Sequence, residues 1–302
     1  NSSESVINAL IARLKDDQSF VRGEAAFALS RLDNSSETVV SALIARFQDP
    51  DAGVRDRAAI ALGNLGHSSE TVASALIARL MDDQSCMCRG AALALGQLGN
   101  SSESVVSTLL IRLQDDDYVV RGEAAYALGQ LGNSSESVIN ALLKRLMDDQ
   151  SFVRGWAAFA LGQLGNSSET VVNALLALIE DHDSHVRGEA TSAFGYLSNS
   201  SETVIRALLA SLQDDQSFVR WRAVNALGKL GNSSETVINA VLATLEDKDF
   251  EVRWRAAEAL GKLGKTSNHI LPAVIEWIEQ HQDSDYVGRG IDALWDLVVG
   301  EE

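Results

Sequence analysis

The sequence predicts an all-α protein, a right-handed α-solenoid built from about nine helix-hairpin repeats of 33 residues. Three observations support this fold class. The motif Asn-Ser-Ser recurs at steps of 33 residues or multiples of 33. Each repeat contains two amphipathic helical patterns and no alternating strand pattern. Only 2 prolines occur in 302 residues, which favours helices over an architecture with many turns.

The Asn-Ser-Ser motif sets the repeat boundaries, with His67 replacing the asparagine in the third repeat. A fixed period of this size places each repeat against its neighbours only, so we expect one solenoid domain over 1–302. Eight complete repeats and a divergent capping repeat at the C-terminal end are expected at 1–33, 34–66, 67–99, 100–132, 133–165, 166–198, 199–231, 232–264 and 265–302.

The first repeat shows why each element is expected. Residues 1–4 read Asn-Ser-Ser-Glu, a helix N-cap followed by an acidic residue that suits the positive end of the helix dipole. Apolar residues follow at helical spacing as far as Leu14. Asp16 starts a polar break that can cap a second helix, whose apolar face includes Ala25 and Leu29. Most later repeats close with Leu-Gly, where glycine accepts the left-handed conformation that ends a helix.

The stretch from Asp115 to Gly132 carries the pattern Asp-x-x-x-x-Val-Arg-x-x-Ala-Ala-x-Ala-Leu-Gly-x-Leu-Gly. This pattern resembles the HEAT-like repeats of the phycobilisome-lyase type, and the resemblance covers repeats one to eight. It implies a HEAT-like solenoid. It implies less about function, because this fold hosts binders, scaffolds and a few enzymes.

Two rows of charged residues recur with the repeat. An aspartate near the turn is followed six residues later by an arginine, as in Asp16 and Arg22, although the third repeat has Cys88 at the arginine position. In similar HEAT solenoids such residues form a ladder that ties one repeat to the next, so we interpret them as structural. A second row of arginines precedes the turn aspartates and is expected to pair with them locally: Arg13, Arg46, Arg79, Arg112 and Arg145.

The apolar helix positions and the ladder residues, which we call the frame, recur from repeat to repeat. Six other positions in each repeat vary. Those at 20, 24, 27 and 31 of the first repeat share one helix face, which lines the concave surface in similar solenoids. The six positions hold twelve of the seventeen aromatic residues, and aromatic residues mixed with arginine are typical of protein interfaces. The predicted partner-binding residues are Phe20, Glu24, Phe27, Tyr118, Tyr126, Phe152, Trp156, Phe159, Tyr196, Phe218, Trp221, Arg222, Lys229, Phe250, Trp254, Arg255 and Lys262.

The strongest binding contribution is expected in repeats seven and eight. The triplet Arg-Trp-Arg occurs at 220–222 and again, one period later, at 253–255. Its two tryptophans should lie side by side on neighbouring helices with the following arginines beside them. Lys229 and Lys262 extend the same face, so the variable positions are expected to be basic there despite a net charge of −17.

Catalytic alternatives find less support. Deoxyhypusine hydroxylases resemble this repeat type, but their di-iron site needs His-Glu pairs, and the chain has Gly-Glu at 23–24, 122–123 and 188–189. A bilin lyase-like or tetrapyrrole-binding protein is the alternative function, because an aromatic surface can accept a flat ligand. Cys86 and Cys88 flank Met87 and form a weak candidate for a soft metal such as copper. We expect no catalytic residue, no metal and no cofactor.

Charge and composition restrict the partners. The net charge of −17 disfavours nucleic acid, since phosphate binding needs a basic face. No apolar run suits a membrane span, and two closely spaced cysteines agree with a cytoplasmic protein. We therefore expect a non-catalytic scaffold or recognition module that binds a folded domain or a peptide, within a larger sensor or scaffold protein or as an engineered repeat binder. The first repeat lacks a polar cap, which predicts self-association through it or a preceding segment.

Overall fold

The computed structural model describes residues 2–32, 34–66, 69–80, 89–99, 102–264 and 267–299. These ranges contain short α-helices in pairs and no β-strand, which confirms the predicted all-α fold and agrees with an α-solenoid. The helices are α1 Ser2–Arg13, α2 Ser19–Ser30, α3 Glu37–Ile44, α4 Ala52–Asn64, α5 Glu70–Leu80, α6 Arg89–Gln97, α7 Glu103–Arg112, α8 Tyr118–Leu131, α9 Glu136–Arg145, α10 Ser151–Gln163, α11 Glu169–Leu178, α12 Ser184–Leu197, α13 Glu202–Ser211, α14 Ser217–Leu230, α15 Glu235–Ala243, α16 Phe250–Gly264, α17 Ile270–Gln280 and α18 Val287–Val298.

The chain divides into two compact units, Asn1–Ala160 and Leu161–Glu302. In the first unit the second helices of consecutive repeats, α2, α4, α6 and α8, pack on one another. In the second unit α12, α14, α16 and α18 pack in the same way. The expectation of one domain over 1–302 stays a prediction.

Small residues bring the second helices close together. A Cβ atom on Gly129 would lie 2.7 Å from the Cα of Ala160, and one on Gly162 would lie 2.7 Å from the Cα of Ala193. Any larger side chain at these glycines would push the neighbouring backbone away, because protein interiors are close-packed. The glycine of the Ala-Leu-Gly stretch is therefore a packing residue.

The Asn-Ser-Ser motif works as a two-part helix start. The Oδ1 of Asn133 accepts a hydrogen bond from the backbone N–H of Ser135 at 3.0 Å, and Ser135 is the N-cap of α9. The preceding helix ends at Gly132, whose φ of 69° lies in the left-handed region. Ser198 adopts a similar φ of 51° in the sixth repeat, where glycine is replaced. The asparagine thus shapes the turn and the serine begins the helix.

The predicted ladder of arginine and aspartate is present in both units. Arg220 donates from Nε and Nη2 to the two carboxylate oxygens of Asp247, each at 2.7 Å, and from Nη1 to the backbone carbonyl of Asp214 at 2.9 Å. A two-pronged contact of this kind holds a carboxylate in one orientation. The corresponding pairs are Arg22 with Asp49, Arg121 with Asp148, and Arg187 with Asp214.

The ladder aspartates titrate below the ordinary range. Burial raises the pKa of Asp247, but the hydrogen bonds from Arg220 and from the backbone N–H of Asp249 outweigh burial and hold that pKa below its ordinary value. The pKa of Asp148 is lowered in the same way. In the second arginine row, local pairing is confirmed for Arg13, Arg46, Arg112 and Arg145, and Arg112 lies 2.7 Å from Asp115. The turn aspartates that follow Arg79 lie outside the described residues.

The last repeat consists of α17 and α18. Trp277 is buried and stacks on His281, with ring centroids 4.3 Å apart. Trp295 is 64% exposed on α18. The physical reason is that α18 turns its other face, with Gly290 and Ala293 buried, toward the preceding helices.

Candidate protein-binding surface

The variable surface comprises the residues at the six variable positions, on or at the start of the second helix of repeats one to eight. Most of the exposed aromatic side chains among the described residues lie on it. They are Phe20, Phe27, Tyr118, Tyr196, Phe250 and Trp254, and Trp295 is the exposed aromatic residue elsewhere. Because contiguous exposed apolar patches are often interaction sites, this concentration makes the variable surface the candidate contact surface.

In the first unit, five rings form a continuous aromatic cluster. Its members are Tyr118, Tyr126, Phe152, Trp156 and Phe159. The ring of Tyr126 meets Trp156 edge-on at 4.8 Å between centroids and stacks on Phe159 at 5.4 Å. Phe152 bridges to Tyr118, edge-on at 6.1 Å. Because the rings fix one another, the cluster presents a rigid apolar surface that loses little conformational entropy on binding.

Two exposed aromatic side chains lie at the amino-terminal end of the variable surface. Phe20 is 70% exposed and Phe27 is 46% exposed. The guanidinium of Arg31 lies 5.9 Å from the centre of the Phe27 ring. Glu24 pairs with Arg57 of the following repeat. Here the aromatic residues are held by few contacts.

Trp221 and Trp254 of the second unit share one cation, and the arginine that follows each tryptophan lies beside it, as expected from the repeated triplet. The guanidinium of Arg255 lies 4.2 Å from the ring centre of Trp254 and 5.5 Å from that of Trp221. Arg222 also lies 5.5 Å from the Trp221 ring. We call these four residues the tryptophan–arginine patch. Tryptophan and arginine are among the residue types enriched at interface hot spots.

The patch is less basic than its sequence suggests. Arg222 pairs with the buried Glu189 at 2.6 Å, and Arg255 lies 3.0 Å from Glu251 and 2.9 Å from Glu258. Helical spacing of three and four residues brings Arg255 to its two acids. These glutamates offset the charge of the two arginines locally, and the basic character of the whole face stays a prediction.

The two lysines of this face are also engaged. Lys262 donates to Glu258, and the Lys229 ammonium lies 3.9 Å from the centre of the Tyr196 ring. Burial raises the pKa of Glu258, but the hydrogen bonds from Lys262 and Arg255 outweigh burial and hold it below its ordinary value. Both lysines therefore help to fix neighbouring side chains.

Some side chains at variable positions are buried. Glu123 and Glu189 are buried, although the sequence placed them on the exposed face. Phe218 is half-buried, and a Cβ on Gly188 would lie 2.9 Å from its ring. Variable positions next to the following repeat are thus covered by its side chains. The glycines at some variable positions were the signal of this packing, and sequence reasoning missed it.

Phe250 lies beside residues of the divergent last repeat. Its ring centre is 4.8 Å from the guanidinium of Arg289 and 5.9 Å from that of Arg253. Arg253 also lies 5.1 Å from the ring centre of Tyr286. Arg289 and Tyr286 were not foreseen, because the last repeat no longer follows the 33-residue frame.

No group of three or more His, Cys, Asp or Glu side chains in the described part of the chain is arranged to hold a metal ion. Cys86, Met87 and Cys88, the weak candidate for a soft metal, lie outside the described residues. None of the helices within the described ranges combines the length and apolar character needed to cross a bilayer.

Repeated helix pairs, the ion-pair ladder and close packing of second helices define a helical-repeat solenoid. The family model for HEAT repeats matches residues 7–96, 75–162, 139–228 and 205–295. The chain belongs to the HEAT repeat family. No curated protein matches its sequence.

Solved structures agree with the fold. The complex of CpcE and CpcF of phycocyanin lyase from Nostoc sp. is 23% identical, covering 88% of this chain and 97% of that chain with a TM-score of 0.55. Escherichia coli YibA is 22% identical, covering 86% and 94%, with a TM-score of 0.56. Human deoxyhypusine hydroxylase is 22% identical, covering 87% of this chain and 97% of that chain. Its TM-score of 0.40 is too low to bear on activity.

Proposed function

We propose that this chain is a non-catalytic protein-binding scaffold whose variable surface contacts a folded domain or a peptide. The observation that carries the proposal is the contrast between frame and surface. The ladder pairs arginine with aspartate in the same way from repeat to repeat, whereas the second-helix positions beside it change residue by residue and hold most exposed aromatic side chains. Solenoids bind through extended surfaces of this kind.

The aromatic cluster and the tryptophan–arginine patch supply the expected hot spots. Their rings are already ordered by contacts at 4.2–6.1 Å. A pre-ordered surface binds more tightly than a flexible one of equal area, because fewer side chains lose freedom on association. Residues of the predicted site that are half-buried, such as Phe218, support the exposed ones.

The test uses two variants of the whole chain. The first replaces Phe20, Phe27, Tyr118, Tyr196 and Trp254 by alanine. The second is a matched control that replaces Ile111 and Met147, which are 58% and 85% exposed but lie outside the variable surface. Tagged wild-type protein captures partners from a lysate of the source organism, and the captured protein is purified for calorimetry.

We expect the first variant to weaken binding of the purified partner by about 100-fold or more, and the control to bind like the wild type. Equal affinity of all three proteins would contradict the proposal. A visible absorbance band after mixing with a bilin, without any protein partner, would also contradict it in favour of the tetrapyrrole-binding alternative.

A further inference from the structure

A glycine notch recurs on the second helices. At Gly122 of α8, an added Cβ would lie 2.5 Å from the ring of Phe152, and at Gly188 of α12 it would lie 2.9 Å from the ring of Phe218. In both places the absence of a side chain lets the following repeat insert a phenyl ring. The ring comes from the same repeat position each time.

The first repeat has the corresponding glycine, Gly23, but no ring beside it; an added Cβ there would lie 3.0 Å from Cδ of Arg57. Gly23 and Glu24 on α2 correspond to Gly188 and Glu189 on α12. In each pair the glutamate binds an arginine of the next second helix, Arg57 or Arg222. The position that carries Phe218 in the later repeat is Gly53 in the second repeat.

The ion pair differs in exposure between the two places. Beside Phe218, the side chains of Glu189 and Arg222 are 6% and 19% exposed. Beside Gly53, those of Glu24 and Arg57 are 46% and 45% exposed. A phenyl ring at this position therefore accompanies a covered ion pair, and its absence accompanies an open one.

The notch at Gly23 is an open cleft of about 240 Å³, which we call the Gly23 cleft. Its walls are Ser19, Phe20, Gly23, Asp51, Gly53, Val54 and Arg57. An apolar cavity of about 150 Å³ is sufficient for benzene, so the cleft has room for a phenyl ring. Phe20 at its rim is 70% exposed and offers a ring-to-ring contact.

We propose that the Gly23 cleft binds the phenylalanine side chain of a partner protein. The chain itself shows the fit, since the equivalent notches at Gly122 and Gly188 hold phenyl rings. Arg57 at the wall can approach the face of the inserted ring, a favourable cation–π contact. The partner as the source of the ring rests on the proposed protein-binding function, whereas binding of a phenyl group by the cleft does not.

The cleft is tested with a small probe, N-acetyl-phenylalanine amide, against N-acetyl-alanine amide as control. Backbone amide resonances of the wild-type protein are followed by NMR as the probe is added at millimolar concentrations. We expect saturable shifts centred on Gly53 and Val54 with the phenyl probe and none with the alanine probe. Absence of saturable shifts with the phenyl probe would overturn the proposal.

Gly53→Phe supplies the ring from within the chain. A Cβ at this position would lie 3.1 Å from Oδ1 of Asp51. The chain tolerates this arrangement elsewhere, because Asp183 caps α12 with His185 two residues later. We expect Gly53→Phe to weaken probe binding by about ten-fold or more and Gly53→Ala to leave it nearly unchanged. Unchanged binding in Gly53→Phe would contradict the assignment.

The converse variant is Phe218→Gly, which should open an equivalent cleft beside Gly188 and create a second probe site. If this variant folds and its amide resonances near Gly188 do not shift with the phenyl probe, removal of the ring does not create a phenyl-binding cleft, and the proposal is wrong. If it does not fold, the Gly53 variants still decide. If the wild-type chain forms a dimer and Gly53→Phe dissociates it, the ring comes from a second copy of the chain. This result would overturn the assignment of the ring to a different protein.

The two proposals fail separately. In one outcome, Gly53→Phe blocks probe binding but the affinity of the captured partner is unchanged by all variable-surface substitutions. This would refute the protein-binding function and leave the assignment of the cleft as a phenyl-binding site intact. A captured partner that binds Gly53→Phe and the wild type equally would leave the function and remove the partner phenylalanine from the cleft.

Discussion

The aromatic cluster of the first unit and the tryptophan–arginine patch of the second both lie at variable positions of second helices but are held by different forces. In the cluster, Trp156 is surrounded by other rings at 4.8–6.1 Å. In the patch, Trp254 faces the guanidinium of Arg255, which is itself bound to Glu251 and Glu258. The same helical frame thus carries a surface held by ring–ring contacts in the first unit and one held by ring–guanidinium contacts and ion pairs in the second.

The frame beneath the two surfaces should respond identically in both units, and this is the largest expected effect. Arg121→Ala and Arg220→Ala each remove the two-pronged donor of a nearly buried aspartate and a donor to backbone carbonyls, so each should lower the free energy of unfolding by about 3 kcal/mol. Denaturant unfolding measures both. Arg206→Ala is the control, because its pair with Glu202 is exposed and should contribute less than about 0.5 kcal/mol. A large difference between the two ladder variants would break the comparison.

The next effect separates the surfaces. Trp156 is half-buried among rings, so Trp156→Ala should lower the free energy of unfolding by about 2 kcal/mol. Trp254 is 41% exposed, and Trp254→Ala should lower it by less than about 1 kcal/mol. Thermal and denaturant unfolding give both values. Equal losses would show that the cluster and the patch do not differ in how they stabilise the fold.

Acid should affect the patch and spare the cluster. The pKa of Glu258 is held below that of an unfolded glutamate, about 4.3, so its contribution is complete above that pH and is lost as pH falls through the folded value. We expect Glu258→Gln to lower stability by less than about 1 kcal/mol near neutral pH and to match the wild type in acid. The cluster variant Phe159→Leu should show a difference that does not vary with pH. Parallel curves for both would contradict the assignment.

The smallest effect concerns Lys229 over the Tyr196 ring. Lys229→Met keeps most of the side-chain length and removes the charge, and the loss should be about 0.5 kcal/mol at this exposed site. The double variant with Tyr196→Leu isolates the pair, since the two single losses should then not add. Strict additivity would show that the lysine and the ring act independently.

The repeated sequence allowed much of this to be foreseen. Comparing repeats within one chain separated Arg220 and Asp247 as frame from Trp221 and Trp254 as surface, because the former recur and the latter vary. What it could not show is contact between unlike positions of consecutive repeats. Gly188 beside the phenyl ring of the next repeat is such a contact, because it depends on how closely two helices pack.

The five tryptophans offer the most direct test of the protein-binding surface. With 5-fluorotryptophan incorporated, fluorine NMR reports each indole, assigned by single Trp→Phe variants. Trp156, Trp221 and Trp254 lie on the variable surface, whereas Trp277 and Trp295 lie on the last two helices. On addition of the purified partner, we predict shifts in one or more of the first three and none in the last two. A shift confined to Trp295, or unchanged signals from all three variable-surface tryptophans at saturation, would contradict the account.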